Sequence, residues 1–178
     1  MPILTPSQAL LIGFIVAPSL FILSAYLPHA TRRHILGAVV GASLYAVVNY
    51  VWDRAAAAFG WWTYPAWTAT GQLPLTVYLL AGIVGGGAFG LVGLRIIQRW
   101  CWKGFAVFML FWAVYAVVHD YGGSLLFASS SLMLFGAGPV PIIANVLCYV
   151  TGNAVPQAAI WLIGESPARV CWSSKAVE

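Results

Sequence analysis

The chain has 178 residues, of which 62% are hydrophobic and only 7% charged. A soluble domain carries roughly 25% charged residues, so this chain cannot cover itself with polar groups and reads as one integral membrane domain. Its net charge of +4 comes from eight Lys and Arg against four acids, spread over short connections, which argues against a nucleic-acid surface.

The N-terminus lacks a positive leading region and its apolar run is long enough to span, so it is expected to be a first helix and not a cleaved signal. That segment runs from about Ala9 to Leu27, with Pro18 as a kink and Pro28 as its end. A short loop with His29, Arg32, Arg33 and His34 leads to a second segment, from about Ile35 to Trp52. Asp53 follows it directly. The next connection holds Phe59, Trp61, Trp62, Tyr64 and Trp67. Tryptophan and tyrosine favour the headgroup level, so this stretch is expected to lie along the interface, with Ala55 to Ala58 as a helical turn.

The third segment runs from Leu73 to about Ile97, with Pro74 in its first turn. Its glycines include Gly82, Gly86 and Gly90, a spacing that admits close approach of another helix or of a flat ligand. Arg95, Arg99 and Lys103, flanked by Trp100 and Trp102, form a basic connection to a fourth segment from Gly104 to about His119. Ser124 to Phe135 is apolar but twelve residues long, too short for a core of ~30 Å, and is expected to be re-entrant or interfacial. The fifth segment runs from Pro141 to about Gly164, with Pro156 as a kink, and residues 165–178 form a polar tail.

This predicts an all-α integral membrane protein: one transmembrane domain over residues 1–164, about five spans and two interfacial or re-entrant connections. The positive-inside bias puts the N-terminus outside and the tail in the cytoplasm, in an inner or plasma membrane. Cys101, Cys148 and Cys171 show no metal or CxxC spacing and read as small residues near or within helices. No metal site and no cofactor are expected.

A degenerate internal repeat organises the candidate chemistry. Gly71 and Pro74 lie 18 and 21 residues after Asp53, and Gly138 and Pro141 lie 18 and 21 residues after Asp120. An offset of 67 therefore superposes both aspartates and both prolines, as a parallel repeat would. An offset of 70 also aligns Tyr45-Ala46-Val47-Val48 with Tyr115-Ala116-Val117-Val118, but it loses those matches.

Both aspartates then fall on one side of the membrane, and repeats packed side by side would turn their carboxyls into one cavity. An acid in an apolar, partly dry site can hold its proton near neutral pH, which suits proton delivery to a carbon–carbon double bond or an epoxide. His119, next to Asp120, is placed to take the proton back, and aromatic faces stabilise a carbocation. The candidate catalytic residues are Asp53, Asp120 and His119; the candidate substrate-binding residues are Trp52, Trp61, Trp62, Tyr64, Asn49 and Asn145. The plainer alternative makes Asp53 a cap or a partner of Arg54, and the tryptophans an ordinary belt. Asn145, Asn153 and Gln157 share one helix face and either line the cavity or hold helices together.

The run Trp52, Asp53, Gly60, Trp61, Trp62, Tyr64, Gly71, Leu73 and Pro74 resembles the integral-membrane lycopene cyclase domain of carotenoid biosynthesis. The resemblance covers roughly residues 44–92, and the second repeat in outline. It implies helix-loop-helix repeats and cofactor-free, proton-initiated, non-redox cyclisation of the ends of a linear C40 polyene. In that family acidic residues follow Leu-Pro; here Leu75-Thr76-Val77 and Ile142-Ile143-Ala144 stand in those places. Two main function classes follow: an intramembrane isoprenoid cyclase or isomerase, and a non-catalytic carotenoid-, quinone- or lipid-binding subunit of a larger homo- or hetero-oligomer. A transporter or channel ranks behind both, because no dense line of charge crosses the bilayer.

Overall fold

Thr31 opens the helix on which the rest of the chain packs. Its hydroxyl accepts the His34 backbone N–H at 3.2 Å, capping α2 (Arg32–Phe59). The helix stops at Gly60, whose φ of 65° suits a residue without a β-carbon. The computed structural model describes residues 6–26, 29–65, 73–126 and 133–164. Before α2 comes α1 (Pro6–Tyr26); after it come β1 (Trp62–Thr63) and α3 (Leu75–Ala81), which passes into a π-helical stretch, Gly82–Phe89. Then follow α4 (Gly90–Tyr115), a second π-helical stretch (Ala116–Tyr121), α5 (Gly122–Leu126), β2 (Leu134–Phe135) and α6 (Pro139–Ile163).

Among the described residues, three helical stretches are long and apolar enough to cross a membrane: Arg32–Phe59, Leu75–Leu125 and Pro139–Ile163. The 51-residue middle stretch is not straight. Cys101 sits at φ 53°, ψ −132° inside α4, and the chain folds back on itself there. Beyond the turn, Phe108 lies against Gly93, and the rings of Phe89 and Trp112 meet edge to face at 5.1 Å.

Small residues set the packing on both sides of α2. Towards α6, Gly37 meets Ile160, Gly41 meets Pro156, and Gly152 meets Tyr45 and Asn49. Each step of four along α2 is thus a step of four back along α6, so the two helices are antiparallel. On the other side, a β-carbon added to Gly86 would lie 2.6 Å from the Gly41 carbonyl oxygen, and one on Gly82 would strike the Ala42 carbonyl. Gly87 faces the Phe21 ring of α1. The glycine stripe is therefore filled by neighbouring helices and not by a flat ligand. Outward, α1, α2 and α6 present large exposed apolar side chains, among them Ile15, Ile22, Val47, Val51 and Ile143, the exterior a bilayer requires.

The two connections that carry the repeat meet. β1 pairs antiparallel with β2, Trp62 opposite Phe135 and Thr63 opposite Leu134, and the Gly136 N–H donates to the Trp61 carbonyl at 2.8 Å. Beneath them Ala56, Trp62, Tyr64 and Ala144 form a buried cluster.

Several expected boundaries are corrected. α2 continues through Phe59, so Asp53 stands inside the helix and not after its end; Ala55 to Ala58 are good helix formers that extend it. Likewise the helix carrying His119 and Asp120 runs on to Leu126. Pro74 is the N-cap of α3 and not a first-turn residue, and α6 begins at Pro139. Of the expected re-entrant helix from Ser124 to Phe135, its start belongs to α5 and its end is strand. Cys101, read from the sequence as a small residue near or within a helix, is disulfide-bonded, while Cys148 is free and buried. Pro28, Trp67, Gly71, Gln72, Cys171 and the tail 165–178 lie outside the described residues.

Candidate functional site

The site is built around Asp53, 7% exposed, on the inner face of α2. Its Oδ1 accepts from Trp62 Nε1 and from the Tyr64 hydroxyl, both at 2.9 Å, and its Oδ2 accepts from the Tyr78 hydroxyl at 2.7 Å. Three elements therefore converge on one carboxyl: the β1 turn brings Trp62 and Tyr64 back over the helix end, and α3 supplies Tyr78. Burial pushes the Tyr64 phenol well above its usual range, which keeps it a donor. A carboxylate offers about four lone-pair positions, so three donors hold Asp53 in one orientation.

Asp120 comes from the second π-helical stretch. Its Oδ1 lies 2.7 Å from His119 Nδ1, and its Oδ2 accepts from Asn145 Nδ2 at 3.3 Å. The same amide donates to the Ala116 carbonyl at 3.2 Å, tying α6 to the π-helical backbone. The two partners differ sharply in exposure: 59% for the His119 side chain and 10% for Asp120. His119 stacks on Tyr115, ring centroids 4.7 Å apart.

Both carboxyls line one cavity of about 500 Å³, within the ~300–1,000 Å³ usual for small-molecule sites. Of the sequence-predicted residues, Asp53, Asp120, His119, Asn49, Asn145, Trp62 and Tyr64 all line it. Trp52 and Trp61 do not. Trp52 turns its Nε1 to Thr151 Oγ1 at 3.0 Å, and Trp61 stacks on Phe59 at 5.0 Å, so both support the wall from behind. Asp53 does hold the interfacial turn, through Trp62 and Tyr64, and it also accepts from Tyr78 of α3.

Asn153 and Gln157 share a face with Asn145, but only Asn145 reaches the cavity. Gln157 donates to the Gly90 carbonyl at 2.7 Å and Asn153 to the Tyr149 carbonyl at 2.9 Å, both as ties in the core. The lining also includes Tyr45, Tyr78, Cys148 and Tyr149, which sequence reasoning did not place at a site. One signal was present for Tyr78: it lies 25 residues after Asp53, as Asn145 lies 25 after Asp120.

The arrangement defines a class: an α-helical protein with membrane-length apolar helices, in which one buried and one partly buried carboxyl share an aromatic cavity that reaches the surface at a histidine. No protein-family model, characterised protein or solved structure matches the chain.

Proposed function

We propose that this chain is an intramembrane isoprenoid cyclase or isomerase working by cofactor-free acid–base chemistry. One observation carries the reading: two carboxyls from different helices, Asp53 and Asp120, face one aromatic cavity, and one of them is joined to an exposed histidine. On this reading Asp120 gives a proton to a terminal carbon–carbon double bond of the substrate. The carbocation so formed is attacked by a neighbouring double bond, which closes the ring. Loss of a proton from the adjacent carbon to the Asp120 carboxylate restores the acid, and the product is an isomer of the substrate. His119 exchanges protons between Asp120 and water. Asp53, fixed by Trp62, Tyr64 and Tyr78, faces the developing positive charge, and the surrounding rings add cation–π stabilisation.

The resemblance of residues 44–92 to the lycopene cyclase domain points the same way, with Asp53 and Asp120 as the acids in place of those the family carries after Leu-Pro. We read the fold-back at Cys101 as dividing the middle stretch into two spans; with α1, α2 and α6 this makes five. Gly13 and Gly87 place α1 beside Leu80 and its own Phe21 beside the π-helical stretch, so α1 and α3 run in the same direction. With the positive-inside bias of the basic residues, this reading puts the N-terminus outside and the tail in the cytoplasm of an inner or plasma membrane, with both aspartates near the outer face.

A second reading has its own support. Both Asp53 oxygens already serve protein donors, which suits a non-catalytic carotenoid-, quinone- or lipid-binding subunit. Expression in a host that accumulates linear isoprenoids, followed by lipid profiling, separates the two. A new cyclic or double-bond isomer of unchanged mass is expected; co-purification of an unaltered isoprenoid, with no isomer formed, would establish the binder instead.

A further inference from the structure

A second cavity, of about 190 Å³, lies at the opposite end of α2 between its first turn and α4. We propose that it binds an anionic phosphate group, as carried by a phospholipid headgroup. Thr31, His34, Arg95 and Gln98 line it, with Leu91 and Leu94 as its apolar wall. His34 lies 19 residues before Asp53 on the same helix, roughly 28 Å along its axis. The inference is therefore independent of the proposed reaction.

Four observations converge here. The first turn of α2 points N–H groups outward: Thr31 takes those of His34 and Ile35, which leaves the Arg32 and Arg33 N–H groups without an intrahelical acceptor. The His34 side chain is 8% exposed, and its buried Nε2 has no hydrogen-bond partner among the described residues. Such an atom is costly unless a polar group meets it. From α4 comes the exposed guanidinium of Arg95, a group with five N–H donors of the kind that pairs with phosphate. Gln98 accepts from Arg95 through its Oε1 at 3.3 Å, which leaves its amide hydrogens to donate.

Charge among the described residues favours an anionic ligand. Arg32, Arg33, Arg95, Arg99 and Lys103 are all exposed around this end of the bundle. The two aspartates among the described residues line the other cavity. Basic pockets between membrane helices take phosphate headgroups in this way, and Leu91 and Leu94 offer the first contact for acyl chains.

The test uses the full chain, delipidated in a neutral detergent, with thermal unfolding followed as ligand is added. Dioctanoyl phosphatidylglycerol should raise the midpoint saturably, and a neutral galactolipid of equal chain length should not. Arg95→Gln should weaken the effect about tenfold or more, the loss of one strong charge-assisted contact. Arg54→Gln, at the other end of α2, should leave it unchanged. If Arg95→Gln does not fold, Gln98→Met makes the same comparison with a smaller loss. A shift from inorganic phosphate alone, lost in Arg95→Gln, keeps the phosphate site and assigns it to free phosphate instead of lipid. The proposal is overturned if no ligand shifts the midpoint, if the galactolipid matches phosphatidylglycerol, or if the folded variants respond like the wild type.

Discussion

Asn145 donates to the Asp120 carboxyl from 25 residues further along the chain. Tyr78 does the same for Asp53, at the same separation of 25. Between the two units, Gln157 donates to the carbonyl of Gly90, 67 residues earlier. That is the offset that superposes Asp53 on Asp120, and equivalent residues of two parallel units touch only near the axis between them. The three bonds support the offset of 67 over the competing offset of 70. On that offset the two positions differ: a tyrosine and a tryptophan crowd Asp53 from the β1 turn, while Asp120 has an exposed histidine. Equivalent positions thus hold one buried, fixed carboxyl and one joined to the surface.

The shared geometry predicts unequal losses from the two helix-borne donors. Tyr78→Phe removes one of three donors from a buried carboxyl, a loss of about 1.5–3 kcal/mol for a bond to a charged group. Asn145→Leu removes a donor from Asp120 and a tie to the Ala116 carbonyl together. Denaturation in mixed micelles should find both variants destabilised, with Asn145→Leu also releasing the π-helical stretch to faster hydrogen exchange around residues 116–121. Unchanged exchange there would mean that the amide does not hold that backbone.

The glycine contacts give a prediction about assembly. A side chain at Gly86 meets backbone atoms of α2, which cannot swing aside as a flexible side chain can. Overpacking of this kind costs ~1–3 kcal/mol even where neighbours yield. Gly86→Leu should therefore fold poorly, whereas Gly123→Leu, with nothing within 4 Å of an added β-carbon, should be tolerated. Equal yields of folded monomer on size-exclusion chromatography would remove α2 as the packing partner of this stretch.

Much of this architecture was legible in the sequence, for a physical reason. Membrane helices need long apolar runs, and the runs in this chain are plain. Helix ends were less legible, because hydropathy falls at Asp53 and Asp120 while the backbone continues for further turns. A charge interrupts an apolar count, but it does not interrupt a helix whose next residues are Arg54 and four alanines. Asp53, Asp120 and His119 were legible because acids are rare in such a chain and expensive in an apolar setting. Tyr45, Cys148 and Tyr149 were not: nothing local separates a tyrosine that lines a cavity from one at the bilayer interface. Trp52 and Trp61 were misplaced for the same reason, since a tryptophan next to a cavity residue points away from it as readily as into it.

Topology provides a separate check on the five-span reading. In a background with Cys101, Cys148 and Cys171 replaced, a cysteine at exposed Thr63 should react with a membrane-impermeant reagent added from outside. A cysteine at exposed Lys103 should react only after the membrane is opened. Labelling of both positions from the same side would require an even number of crossings between them and would break the assignment of α3 and the first limb of α4 to one span.

The roles of the two aspartates can be separated by isosteric substitution. Asn keeps the shape of Asp and much of its hydrogen-bonding reach but removes the acid. At Asp120 the change should leave a folded protein that still takes up an isoprenoid, with turnover reduced about 10²–10⁴-fold, the usual loss for a general acid. At Asp53 the amide nitrogen would face donors where Oδ1 or Oδ2 now accepts from Trp62, Tyr64 or Tyr78. Asp53→Asn should therefore cost stability as well as rate, and a companion Tyr78→Phe change should recover part of that stability by removing an opposed donor. His119→Gln should slow turnover without weakening isoprenoid uptake, since its ring serves Asp120 at the exposed edge. The measurements are unfolding midpoints, isoprenoid retention and isomer formation on the same preparations. Full turnover in Asp120→Asn would end the proton-donor assignment, and retention of ligand with no turnover in the wild type would place the cavity among lipid-binding sites.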